Sequence, residues 1–448
     1  MKYQFIEVIF ISINSYITRI AVYFLRLGRL WFLIPGVLLL FFFSRPALAE
    51  EFSKVLKPYF SYTTTADDNM LRIRDRFDPL NVENARIRDL ISQGKLADIS
   101  HRMTGGVIFQ KNISRQRLSA DLSWTFNKFQ RFHEIDNDLK NFRGNWNWFL
   151  GNRLEGNMGA SYVDSLMPFI FQPGLKTIRT EQTQFINAAW RFHPSWRLNG
   201  EYTRYDLKTD SLLQRLKFLS RTENRFEAGI DYLTSSRNTV GILFRNIIGD
   251  FTNPVDLTPN DLSDNLFADN SYDQKEVLSR INWVVSAKSS FLWTGGWVQR
   301  KNASFEQRDF SGFNARVIYN WQPTDKIGLT INGWRLTSSM QNISASFSLN
   351  TGVSVVPSWN ITQKIRLEGD FSYETRNFSR FAIFTDPALE IGRHNTLRNA
   401  ALKLAYSPYL GLQLSTSIYH SDLSTDAPLG GFNANGVTAN LQYVYGQR

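Results

Sequence analysis

The sequence predicts an all-β fold, a transmembrane antiparallel β-barrel of about eighteen strands with about sixteen as the alternative count, and three observations carry the prediction. First, Leu118, Ala120, Leu122, Trp124 and Phe126 alternate with Ser119, Asp121, Ser123 and Thr125 without a miss, and the same two-residue period recurs along most of the chain. Second, the segments carrying it are joined alternately by short polar links and long loops. Third, Trp148, Trp190, Trp196, Trp283, Trp321, Trp359, Tyr406 and Tyr409 all fall near the short links, as amphipathic rings do at one membrane–water interface.

Bulk composition agrees. The 448 residues are 43% hydrophobic and 20% charged, and mean hydropathy is −0.29. A barrel hides in such averages because every lipid-facing residue is offset by a lumen-facing one. The chain has no cysteine, which excludes disulfides, thiol catalysis and cysteine metal sites.

The first 49 residues read as an export signal. Arg26 and Arg29 precede the apolar run from Leu30 to Phe43, and Ala47-Leu48-Ala49 has the small-x-small form of a cleavage site, placing the mature start at Glu50. The apolar stretch upstream of Leu25 fits a mis-assigned start, and a retained inner-membrane helix is the rival reading. Cleavage removes five basic residues and one acid from totals of 51 and 40, leaving 46 and 39 and a net charge of +7. Interleaved signs at that level give no concentrated basic face for nucleic acid.

The amphipathic segments fall at 55–63, 104–113, 117–128, 139–149, 153–163, 180–192, 196–207, 221–233, 238–248, 272–285, 289–301, 310–321, 327–338, 346–356, 364–375, 394–406, 409–420 and 436–445. Most are near the roughly nine to eleven residues that cross a bilayer as a tilted strand. The short links lie at 114–116, 151–152, 194–195, 235–237, 287–288, 323–325, 360–362 and 408, and long loops at 64–103, 164–179, 208–220, 249–271, 376–393 and 421–435. Outer-membrane barrels have this asymmetry of short periplasmic turns and long external loops.

The polar faces are strongly charged. Arg366, Glu368, Asp370 and Glu374 oppose Ile365, Leu367, Phe371 and Tyr373, while Arg225, Glu227 and Asp231 oppose Phe226, Ala228, Ile230 and Tyr232. A dry core would not take such charges without partners, so they line water or form cross-strand ion pairs. About eighteen strands enclose a channel rather than a side-chain plug.

Several segments carry a resemblance. Pro58-Tyr59-Phe60-Ser61-Tyr62 followed by Asp67-Asp68-Asn69-Met70-Leu71-Arg72 resembles the opening of the EpsL-type outer-membrane barrels, encoded with exopolysaccharide-biosynthesis genes in exosortase-bearing bacteria. Ile113 to Leu118, Trp146 to Asn152 and Phe192 to Leu198 are similar to the same family, and the likeness is best over about 55–200. The resemblance implies assembly or export of an extracellular polysaccharide and brings no catalytic residue. One departure is the ending, where Tyr443 and Tyr445 are followed by Gly446-Gln447-Arg448 although many barrels end on an aromatic.

Candidate lumen and turn residues are Arg115, Arg117, Asp121, Arg225, Glu227, Arg366, Glu368 and Asp370. Arg115 and Arg117 either meet an acidic polymer or a periplasmic partner, or are a solvated turn. Asp67-Asp68-Asn69 is either a set of oxygen ligands for calcium or a polar strand end. His101, His133, His193, His394 and His420 pair with no nucleophile on one face, and Glu368, Asp370 and Glu374 could by chance meet the carboxylate spacing of glycan cleavage within one strand. No phosphate loop or metal spacing appears, and neither an enzyme nor a cofactor is expected. The first reading is therefore a conduit or scaffold for polysaccharide, with outer-membrane lipid, the polymer, the barrel assembly machinery and periplasmic export components as partners. A general or solute-specific porin is the alternative, and a lipid- or glycan-modifying enzyme the third.

Overall fold

The computed structural model describes residues 55–446 except positions 83, 171–173, 211–218, 237, 253–254, 257–266, 270, 305, 307–308, 340–346, 379–393 and 427–429. The expected export signal, residues 1–49, and the terminal Gln447 and Arg448 lie outside the described residues. Eighteen strands form one sheet. They are β1 (Leu56–Asp67), β2 (Asp98–Ile113), β3 (Gln116–Phe129), β4 (Asn137–Leu150), β5 (Leu154–Leu166), β6 (Ile178–His193), β7 (Trp196–Asp210), β8 (Arg221–Leu233) and β9 (Thr239–Phe251). The second half continues with β10 (Tyr272–Ser286), β11 (Ser289–Asn302), β12 (Phe310–Trp321), β13 (Ile327–Ser339), β14 (Phe347–Asn360), β15 (Ile365–Phe378), β16 (His394–Tyr409), β17 (Leu412–Thr425) and β18 (Phe432–Val444). A two-residue ladder, Val255–Asp256 with Phe267–Ala268, lies in the connection after β9.

Each strand pairs with its sequence neighbours, and β1 pairs antiparallel with β18 from Tyr59↔Val444 to Asp67↔Gly436, so the sheet closes. Tyr445 N donates to Pro58 O at 2.9 Å, and Asn440 Nδ2 donates to Ser61 Oγ at 2.9 Å and Thr63 Oγ1 at 2.7 Å across the same seam. Every expected segment is a strand, and the count is eighteen. All eight short links lie at one end of the barrel, although the last turn is Leu410–Gly411, with Pro408 still in β16. There Gly411 takes φ +89°, a left-handed conformation that glycine adopts without a Cβ clash.

The outward face is apolar and exposed, as on Leu122 (54%) and Trp297 (58%). In a closed barrel that surface belongs to lipid, and the protein is an outer-membrane β-barrel of the Gram-negative type. The eight aromatics near the short links all point outward at that end, with Trp196 and Tyr232 edge-to-face at 5.1 Å. A second outward level, Trp124, Tyr202, Phe226, Trp297 and Tyr373, lies some residues in from the long-loop ends. Beyond it the strands run on with polar outward side chains such as Lys208, Lys275 and Asp422. This explains why β1, β2 and β17 exceed the expected 55–63, 104–113 and 409–420 at that end. The apolar alternation stops at the membrane edge, while the hydrogen-bonded ladder continues into water.

The long segment between β1 and β2 packs onto inward residues. Asn84 caps helix α1 (Ala85–Ser92) by accepting from Arg86 N and Ile87 N, both at 3.1 Å. Ile87 and Ile91 bury against Leu71, Ile73, Val82, Phe129, Phe132 and Ile135. From the β5–β6 loop, Ile170 reaches the inward cluster of Leu423, Phe432, Ala434 and Leu397 on β16–β18. The two loops thus form a cap at the long-loop end, packed onto the wall on both sides of the β1–β18 seam.

Leu122→Arg on the lipid face is expected to cost about 2–4 kcal/mol of folding free energy, and Ser123→Arg on the lumen face much less. Urea titrations of the barrel refolded in lipid vesicles measure the difference; equal costs would contradict the assigned faces.

Candidate functional site

Among the described residues, the inward face is the continuous polar surface that the eighteen strands share. From β6 to β11 it is built of charges that answer one another. Arg179 pairs with Glu181 at 2.6 Å, and Arg221 with Glu223 at 2.7 Å. A chain runs from Arg300 Nε to Gln274 Oε1 at 2.8 Å, from Gln274 to Glu276, and on to Arg245, which reaches Glu276 at 2.9 Å and Glu227 at 2.6 Å. Nearer the short turns, Asp231 is fully buried and accepts from Arg280 at 2.6 Å, Arg197 at 2.8 Å and Asn199 Nδ2 at 2.8 Å. A Cβ on Gly241 would stand 2.1 Å from Asp231 Oδ1, so this strand neighbour must be glycine for the carboxylate to sit there.

Other inward cations carry no hydrogen bond or ion pair with any described residue. Arg143, Arg225, Arg316 and Lys403 stand on β4, β8, β12 and β16, all near mid-strand. Arg225 Nε is buried without an acceptor. Asp370 is the exposed anion on the opposite wall, without a described partner.

The expected site residues separate onto three parts of the wall. Arg117 and Asp121 project inward from β3, Arg225 and Glu227 from β8, and Arg366, Glu368 and Asp370 from β15. Asp121 accepts from Tyr59 OH at 3.0 Å, a reach across Gly106, where a Cβ would lie 2.4 Å from the tyrosine ring. Arg115 is committed to the fold. It donates to Gly151 O at 2.6 Å and Asn152 Oδ1 at 2.8 Å in the next turn, and stacks over Phe149 at 5.3 Å. Two of the three carboxylates considered for glycan cleavage are engaged. Glu368 holds Arg366 at 2.9 Å, while Glu374 holds Arg376 at 2.5 Å and Trp334 Nε1 at 2.8 Å.

Asp67-Asp68-Asn69 is the polar strand end. Asp67 takes Arg72 in a two-pronged bond of 2.9 and 2.8 Å and also the Tyr419 hydroxyl. Asp68 takes Asn435 N at 2.7 Å and Asn435 Nδ2 at 2.9 Å. Asn69 bonds Ile73 N and O, both across the turn. Burial opposes the Arg72 charge, but Asp67 outweighs it and raises the guanidinium's pKa above its ordinary value. Arg74, two residues on, has only burial acting on it and is lowered.

Sequence reasoning missed Arg143, Arg280, Arg316 and Lys403, although their parity in the strands was readable. Their state of pairing was not, because partners come from neighbouring strands.

No family model and no curated protein matches the chain. Among solved structures, it is similar to OccAB3 of Acinetobacter baumannii at 9% identity, covering 87% of this chain and 99% of that one, with a TM-score of 0.43. OccK2 (OpdF) of Pseudomonas aeruginosa follows at 7%, 87%, 98% and 0.47, and the outer-membrane protein OpdK of the same organism at 8%, 88%, 100% and 0.46. At these identities the likeness is one of fold. The expectation of a polysaccharide conduit or scaffold is nonetheless corrected. Barrels of the same fold include the alcaligin outer-membrane receptor FauA of Bordetella pertussis and a BenF-like porin of Pseudomonas fluorescens Pf-5, and none of these named barrels is described as an exopolysaccharide protein. Three inward tyrosines are tied by their hydroxyls, Tyr59 to Asp121, Tyr205 to Glu181 and Tyr419 to Asp67.

Asp231→Ala strands Arg197 and Arg280 beside one another. The expected cost lies near the low end of the roughly 3–5 kcal/mol for breaking a buried pair, because both arginines keep some water. The midpoint of heat-modifiable migration should fall; an unchanged midpoint would remove Asp231 as the anchor of this wall.

Proposed function

We propose that the protein is a passive outer-membrane porin for small hydrophilic solutes, without enzymatic activity. The observation that carries this reading is the inward face, polar and charged with both signs along a closed eighteen-strand wall. Paired charges cancel locally. The mid-strand cations Arg143, Arg225, Arg316 and Lys403 lack such partners, which favours a weak preference for anions. Residues 1–49 serve in this reading as a cleaved export signal, and β18, with Tyr443 in it and Tyr445 just after it, as the segment read by the assembly machinery. The likeness of Pro58–Tyr62 and the related segments to EpsL-type barrels assigns no polymer-handling role.

Planar-bilayer recording tests it. Purified, folded protein should give stable ohmic conductance, and its complete absence would end the porin reading. Under a KCl gradient the reversal potential should favour chloride slightly. The variant R143Q/R225Q/R316Q/K403Q should move it toward potassium, with the shift shrinking from 0.1 to 1 M salt as the screening length falls from about 10 to about 3 Å. An unmoved potential would mean that these four side chains do not set the selectivity.

A further inference from the structure

On the short-turn half of the lumen, the wall from β4 to β10 holds a cleft of about 300 Å³, the lower end of the usual range for small-molecule sites. Most of the charged groups facing it are engaged. Arg197 and Arg280 share Asp231, Arg197 also lies 3.8 Å from Glu155, Glu227 holds Arg245, and Glu201 accepts from Thr203 Oγ1 at 3.0 Å. An anionic ligand would have to displace these carboxylates to reach the arginines.

Four amides from four successive strands line the same cleft: Asn147, Asn157, Asn187 and Asn199. Part of their capacity is used within the wall. Asn147 Oδ1 accepts from Asn145 Nδ2 at 2.5 Å, Asn187 Oδ1 accepts from Asn157 N at 2.9 Å, and Asn199 Nδ2 donates to Asp231. What is left over is complementary. Asn147 Nδ2 and Asn187 Nδ2 are donors, and Asn157 Oδ1 and Asn199 Oδ1 acceptors, without a bond to a described residue. Phe149 adds an apolar surface at one side.

Unused donors and acceptors interleaved in a cleft whose arginines are paired suit a group that both donates and accepts, which is a hydroxyl. We infer that this cleft is a binding subsite for a neutral polyhydroxylated solute of one sugar ring or an equivalent linear polyol. The inference rests on the porin reading for its physiological setting, but the cleft's chemistry is independent of whether the lumen conducts.

The test combines two readouts on the full barrel in detergent and in bilayers. Saturation-transfer NMR with D-glucose, D-galactose, D-mannose and D-sorbitol should reveal saturable binding of at least one. N147A/N187A, which removes both unused donors, should weaken that binding at least fivefold, while N332A on the opposite wall leaves it unchanged. The near-isosteric N187D replaces one donor with an acceptor and should also weaken binding, so the test survives if the double variant fails to fold. Folding is checked by heat-modifiable migration. Lack of saturable binding by all four probes in the folded wild type, or equal binding in N187D, overturns the subsite. Binding without bilayer conductance would uphold the cleft and end the porin reading; conductance without binding would do the reverse.

Discussion

A strand in lipid cannot leave an open edge, because an unpaired N–H or C=O there has no water to turn to. The pairing of β1 with β18 meets that constraint, and much else is arranged around it. At the long-loop end of the seam Asp67 opposes Gly436, whose missing side chain lets the Tyr419 ring lie across to the carboxylate. The same carboxylate holds Arg72, the first turn of the cap. Closure of the barrel and placement of the cap therefore meet at one buried acid.

The lumen faces the opposite problem, too many polar groups rather than too few. The wall from β6 to β11 resolves it by pairing, so that charges drawn from six strands leave little field at their own surface. Small residues make room for it, as Gly241 does beside Asp231. The cations on β4, β8, β12 and β16 are outside that network, while the amides of Asn147 to Asn199 line a cleft whose arginines are paired with acids.

Most of the fold was legible. Strand existence followed from the two-residue period, because a barrel wall between lipid and water imposes it on every strand. The ends were less legible: Asp422 and Ser424 continue β17 beyond the expected 420, outside the membrane, with no apolar outward residue to announce it. The cap between β1 and β2 left only scattered apolar residues such as Ile87, Leu90 and Ile91, which fit a free loop as well. Of the site, Arg117, Asp121, Arg225, Glu227, Arg366, Glu368 and Asp370 were put on the inward face by parity alone, yet Arg115 proved to brace two turns. The polymer reading came from short segment likenesses, which say nothing about what the lumen presents.

By itself the sequence determined the architecture: period sets which residues face lipid, and link length sets which end is which. Both are local properties, readable one strand at a time. Closure at β1–β18, the capped mouth, and the division of lumen charges into paired and unpaired were decided only by the tertiary structure. Each depends on residues far apart in the chain, such as Asp67 with Tyr419 or Asp231 with Arg197 and Arg280, and no pattern within one strand records which distant side chain will answer it.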